Sequence, residues 1–431
     1  MLIIAFSIAL AVGLIEADSS GSRDWMVDWP RLFGAGAAGA RGMLATIAGS
    51  MMTVVGVTFS MTLVTLALAS SQYTSRVLRN FMSDHATQVV LGIFAGIFTY
   101  SLIVLRTIRG GDEGGFVPSL SVAFSVVLAI GGIGTLIFFI HHIASSIQAS
   151  SIIASVAKET LAAVDRLFPE EPAQEPTDDE ADPALPSLPK QNWQAVMAKG
   201  NGYLQSVDNE ALLKLAMEWK TIVRMDRGIG EFIVENTPLA SLAMENPPNH
   251  DIMSRLRAAY NIDRFRTVHQ DCAFGIRQLV DMALHALSPG INDTTTAVMC
   301  VDHLTAILAR LATRKIPSSR RHEDGELRVI SIGQNFAGLV AESFDEIRGN
   351  AQGNISIMSR MLGALETIAS LTDNPVRRRV LREQAECIAE LAGRTIVAPR
   401  DKDRIESRLL RVREALESKP GDGPARRHGI A

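Results

Sequence analysis

The chain has 431 residues, 47% of them hydrophobic and only 6% aromatic, with a formal net charge of −4. That length suits two or three domains, and the mild acidity gives no ground for a nucleic-acid partner. Three widely spaced cysteines, Cys272, Cys300 and Cys387, argue against a disulfide framework and fit a reducing compartment.

The first 168 residues hold long uncharged runs, whereas 169–431 read as an ordinary soluble chain. Met1 to Ile15 is apolar and is followed by Glu16 and Asp18, which is short for a span. It has no basic leader and no small-x-small cleavage site, so it reads as a first transmembrane helix, shortened by a misplaced start. Gly42–Ser75, Ala86–Leu105 and Phe116–Ile140 contain no charged residue. Each is long enough for a hydrocarbon core of about 30 Å. The expectation is four spans, with three as the alternative, in a transmembrane domain over 1–145.

The second span is rich in hydroxyls. At 100° per residue Thr46, Ser50, Thr53 and Ser60 fall near one stripe, and Thr58, Thr62 and Thr65 near another. Such residues either let membrane helices pack closely or line a polar path. Ser50, Thr53, Thr58, Thr62 and Thr65 are therefore the pore-lining candidates. Gly92-xxx-Gly96 and the cluster Gly131, Gly132 and Gly134 predict close helix contacts. No ionisable residue sits centrally in a span, which argues against a proton-coupled pump. Arg76 and the neighbours His141 and His142 stand at span ends and are the gating candidates. "RGGDEGGF" at 109–116 has the look of a cyclase box, but it lacks the phenylalanine after Glu113 and sits in a short loop; it reads as a polar turn.

Residues 143–168 have no helix breaker and space their larger apolar residues by three or four. One long helix is expected to leave the membrane here, its part from 146 to 168 forming a neck that packs on copies of itself or on the soluble region. Residues 169–191 follow as an acidic, proline-rich linker. Residues 192–250 read as a small α+β subdomain, with strands near 195–199, 221–225 and 231–234 and a helix at NEALLKLAMEWK. Residues 251–418 read as a helical subdomain, with helices at 251–260, 267–287, 293–314, 333–349, 354–371, 375–395 and 401–418. GELRVIS, 325–331, is an edge strand or a loop, and 419–431 a frayed tail. The fold class expected is thus mainly α: a helical membrane domain plus a soluble, helix-dominated α+β region.

On 267–287, Asp271, Gln278, Asp281 and His285 share a broad polar face. Asp281 and His285, four apart, are weak metal candidates that need a third ligand from Asn292, Asp293 or His303. The break "ALSPGINDTTTAV", 286–298, reads as a turn at Pro289-Gly290 followed by Asn292 or Asp293 capping the next helix. A helix start is also a place for an anion, and these two residues are the ligand-site candidates there.

The run RTVHQDCAFGIRQLVDMALHALSPGINDTTTAVMCVDHL, 266–304, resembles the bacterial predicted membrane proteins labelled domain of unknown function 2254. FSMTLVTLALASSQYTSRVL (59–78), FIHHIASSIQ (139–148) and GYLQSVD (202–208) carry the same resemblance. Thr294 stands where the family commonly has proline, and Thr74 precedes Ser75-Arg76 where it tends towards Ser-Pro-Arg. The resemblance implies a multi-pass protein of the bacterial plasma membrane, with the lipid bilayer as its partner, and brings no activity. The unpaired cysteines place the C-terminal region in the cytoplasm, although the basic residues flanking the spans lean slightly the other way.

No phosphate loop, nucleophile elbow, zinc-protease helix or paired zinc cysteines are present, so no enzyme and no cofactor are expected. The leading expectation is a homo-oligomeric channel gated by its soluble domain. The competing one is a membrane-anchored sensor or scaffold whose spans only anchor and assemble it.

Overall fold

The computed structural model describes residues 1–20, 36–72, 85–109, 116–146, 148–170 and 192–418, with side chains 68–72 and 146 set aside. The chain is mainly helical and divides into two compact units, Met1–Ser151 and Ile152–Ala431.

The first unit contains α1 (Leu2–Ser20), α2 (Ala37–Gln72), α3 (His85–Thr107) and α4 (Ser119–Ser146). All are long and apolar enough to cross a bilayer. Helix α3 is the most enclosed, because small residues let its neighbours approach. A β-carbon at Gly92 would lie 3.0 Å from Ile3 of α1, and one at Gly96 would lie 2.5 Å from Ser7 Oγ. Gly132 of α4 would likewise meet Ile97 of α3 at 3.1 Å and Met51 of α2 at 3.3 Å. The expected glycine contacts are thus the places where the bundle closes. Two apolar clusters fill it, one around Leu44, Tyr100 and Val104, the other around Met51, Phe94 and Phe139.

A buried carboxylate fixes α1. Asp18 accepts from the backbone N–H groups of Leu120 and Ser121, at 3.1 and 2.9 Å, and from Ser121 Oγ at 2.8 Å. It therefore caps α4 from another helix, supplying an acceptor to N–H groups that have no partner inside their own helix. Tyr100 OH of α3 donates to Ser121 O at 2.9 Å, so three helices meet at this point.

The helix expected to run unbroken through 143–168 is two. Helix α4 ends at Ser146 and α5 (Ala149–Leu167) begins three residues later. Ser145, Ser146, Ser150 and Ser151 crowd the junction. Serine can bond to nearby backbone, so it allows a helix to end as well as to continue.

The second unit combines α5 with two small sheets and a helical layer. Strands β1 (Trp193–Met197), β3 (Val223–Met225), β5 (Pro238–Ala243), β7 (Arg320–Glu323) and β8 (Glu326–Ile330) form one sheet in the order β1-β5-β3-β8-β7. Strands β2 (Gly202–Val207), β4 (Phe232–Ile233) and β6 (Tyr260–Asp263) form another in the order β4-β2-β6. GELRVIS is not an edge: as β8 it pairs in parallel with β3 and antiparallel with β7. Strands from beyond residue 250 thereby complete both sheets begun before it. Helices α6 (Asn209–Glu218) and α7 (His250–Ala258) cover a core of Leu204, Leu212, Val223, Ile233, Leu242 and Val329.

The helical layer is α8 (Cys272–Leu287), α9 (Thr294–Ala312), α10 (Phe336–Asn350), α11 (Ile355–Ala369), α12 (Pro375–Thr395) and α13 (Pro399–Glu417). Short polar side chains set the starts: Asp271, Asp293, Asn335, Asn354 and Asn374 each accept a first-turn N–H. Helix α9 is also long and apolar enough to cross a membrane, a fifth such helix beyond the four expected. Here its Leu304, Ile307, Leu308 and Leu311 are buried in the second unit.

Helix α5 is built into this unit. Ile153, Val156, Ala163 and Val164 are buried, and Thr160 rests on Gly275 of α8. Of the two packings expected for the neck, the structure shows the one on the soluble region.

Candidate functional site

The hydroxyl stripes of α2 face different ways. Thr58 and Thr65 are 1% and 5% exposed, and Thr62 is half-buried between them. Of the pore-lining candidates, these three thus form the less accessible stripe. Ser50 and Thr53 are exposed, as are Thr46 and Ser60. Thr46 donates to Gly42 O at 2.8 Å and Thr53 to Gly49 O at 3.0 Å. Their protons are used within the helix, and their oxygens keep free lone pairs. Gly42, Gly49 and Gly56 have open space where a side chain would stand.

Of the gating candidates, Arg76 lies outside the described residues. His141 is exposed at the end of α4, and the His142 ring stacks on Phe138 at 5.8 Å.

In the second unit the break at 286–298 is a cap. Asp293 accepts from Thr296 N at 3.0 Å and from its hydroxyl. Those two donors hold the Asp293 carboxyl below the usual carboxylate range. Asn292 is not the cap: its φ is +51°, a left-handed conformation that asparagine tolerates. Its N–H donates to Ser288 O at 2.9 Å, and that of Asp293 to Ala286 O at 2.8 Å, which closes the end of α8. With Asp293 accepting from the first turn of α9, a bound anion there would face a carboxylate.

Asp281 and His285 do not converge on a metal. Asp281 is paired with Arg277 at 2.8 Å, and Arg277 also reaches Glu342 and Glu346 of α10. Among the described residues, no group of three or more His, Cys, Asp or Glu side chains is placed to hold a metal ion.

Asp271 and Gln278, expected on a broad polar face, are 1% and 5% exposed. Asp271 lies just before α8 and caps it. Oδ1 accepts from Phe274 N at 3.1 Å and Gln334 Nε2 at 2.9 Å; Oδ2 accepts from Arg266 Nε at 3.0 Å and Nη2 at 2.8 Å. Burial pushes its carboxyl upward while Arg266 opposes that shift. Gly230, at φ +90°, passes so close that a β-carbon would strike Asp271 Oδ2 and Arg266 Nη2. The node ties the 228–231 turn, α8 and the segment before α10 together. Burial pushes the thiols of Cys272 and Cys300 up to about 12, so neither presents a thiolate at neutral pH.

A family model described as predicted membrane protein (DUF2254) matches residues 1–367. The chain belongs to this family. Two uncharacterised relatives, from Mycobacterium bovis and Mycobacterium tuberculosis, are each 34% identical to this DUF2254 protein over 390 residues. The match covers 89% of its chain and 73% of theirs. No solved structure matches it. Helices α12 and α13 lie beyond the family match.

Three buried charged residues of this DUF2254 protein escaped the reading of its sequence: Asp18, Arg314 and Arg377. Each acts on the end of a helix remote in the chain, and no local spacing marks such a partnership.

Proposed function

We propose that α1 to α4 cross the bacterial plasma membrane and that α2 assembles copies of the chain around a narrow conducting axis. The observation that carries this reading is the outward seam of α2. Gly42, Thr46, Gly49, Thr53, Gly56 and Ser60 alternate in steps of four and three, and all are exposed. They hold one stripe about 27 Å long at 1.5 Å per residue, close to the roughly 30 Å of the hydrocarbon core. A face made for lipid is built from large apolar side chains, like the exposed Val57, Phe59, Leu63 and Val64 nearby. Small residues instead let helices approach closely, and their hydroxyl oxygens offer acceptors to a permeating ion.

On this reading the protein is not an enzyme and α9 is a core helix, so the spans number four. The second unit stands on the cytoplasmic side, consistent with its reduced cysteines, and gates the path through α5. The competing role, a membrane anchor for the second unit, draws on the self-contained core of that unit.

The test is ion flux from the purified protein in liposomes. Flux is expected from the unaltered chain, is lost in Thr53→Leu, and persists in Met52→Leu, which is exposed but off the stripe. No flux between pH 5 and 8, or flux that Thr53→Leu leaves unchanged, overturns the channel and favours the anchor.

A further inference from the structure

The end of α5 and the start of α12 are joined through two buried arginines. Arg314, 4% exposed, follows α9. Its Nη1 donates to Phe168 O at 2.6 Å, just past the end of α5, and its Nη2 pairs with Asp165 and Glu170, each at 2.8 Å. The side chain thus gathers carbonyl and carboxylate oxygens at a helix C-terminus, where a cation is favoured.

Arg377, 1% exposed, does the same for α9. Its Nη1 donates to Leu311 O at 3.1 Å, Ala312 O at 3.2 Å and Arg314 O at 2.9 Å, and its guanidinium lies 5.2 Å from the Phe336 ring centre. Asn374, fully buried, accepts from the N–H groups of Val376 and Arg377 and so fixes the start of α12 that carries this side chain. One guanidinium therefore holds the backbone from which the other projects.

We infer that Arg377 and Arg314 act in series, so that α12 positions the C-terminal end of α5. Removing Arg377 leaves the last carbonyls of α9 short of a donor. The end of α9 then frays, Arg314 loses its fixed base, and α5 loosens although none of its own contacts has been altered.

The test is hydrogen exchange on the full chain in detergent, comparing unaltered protein, Arg377→Met and Arg314→Met. Both variants are expected to raise exchange at residues 163–168 by about tenfold or more, with β2 and β5 unchanged. The double variant is expected to exceed neither single one by much, because the two act on one path. Arg377→Lys, which keeps one cation at the carbonyls, is expected to restore part of the protection and serves in place of Arg377→Met if that chain fails to fold. Unchanged exchange at 163–168 in the Arg377 variants overturns the inference. So does an increase shared equally by β2 and β5, which would mark a general loss of stability.

Discussion

At the scale of single residues, Gly275 shows how much one missing atom decides. Thr160 of α5 occupies the space a side chain would take, and a β-carbon on Gly275 would lie 2.9 Å from Thr160 Cβ and Cγ2 and collide with Oγ1. Gly275→Ala is expected to destabilise the chain by about 1–3 kcal/mol, the usual range for overpacking. Thr160→Ala should recover much of that loss in the double variant, since the colliding oxygen and methyl are gone. Thermal unfolding of the solubilised chain measures this, and strictly additive losses would show that the two residues do not share one contact. A second contact on α5 titrates. Arg310 hydrogen-bonds Asp165 and holds its carboxyl below the ordinary value. A carboxylate lowered in the folded state stabilises fully above its unfolded pKa of about 3.9, and that contribution fades as pH falls through the folded value. Protection of α5, corrected for intrinsic exchange, is therefore expected to hold from pH 7 to 5 and to weaken below pH 4.

At the scale of elements, α1 was the least certain helix from its sequence, because fifteen apolar residues are short for a span. The structure extends it to Ser20, and Asp18, which looked like the polar end of the segment, holds it to the start of α4. Asp18→Ala is expected to cost about 0.5–2 kcal/mol, as for other lost caps. It should also weaken a disulfide cross-link engineered between α1 and α4, and Asp18→Asn should be milder because one acceptor remains. An unchanged melting temperature in Asp18→Ala would show that packing on Gly92 and Gly96 alone retains α1. The span helices, the glycine contacts and most soluble helices were legible because hydropathy and helical period are local signals. Strands β2, β5, β6 and β7 were not assigned. They are short, and Pro238–Ala243 shows no clean alternation because four consecutive residues of it are buried. The break between α4 and α5 was missed for the opposite reason: serines permit a helix as readily as they end one. Asp271 was placed inside a helix that it begins, since a cap and a first-turn residue differ by one position.

At the scale of the whole molecule, the candidate site was half legible. The hydroxyl content of α2 was plain in the sequence, but its two stripes are equivalent until the structure shows which is less accessible. Flux sensitivity to Thr53→Leu belongs to this scale, because the seam acquires meaning only when copies meet. The arginine brace belongs here also. It links segments separated by more than 60 residues in the chain, through backbone carbonyls that any residue type supplies.

Helix α9 carries a consequence for how the chain is made. Its hydropathy alone would commend it to the machinery that threads nascent helices into lipid. Two charges stand against that: Asp302 near its middle, ion-paired with Arg360, and Arg310 near its end, ion-paired with Asp165. An acidic or basic residue at the centre of an inserting helix costs about 2.5–3.5 kcal/mol. Asp302 thus does more than make a surface pair; it raises the cost of placing α9 in lipid. Were α9 to enter the bilayer, every residue after it would emerge on the opposite face, and Arg377 would be parted from α5 by the thickness of a membrane.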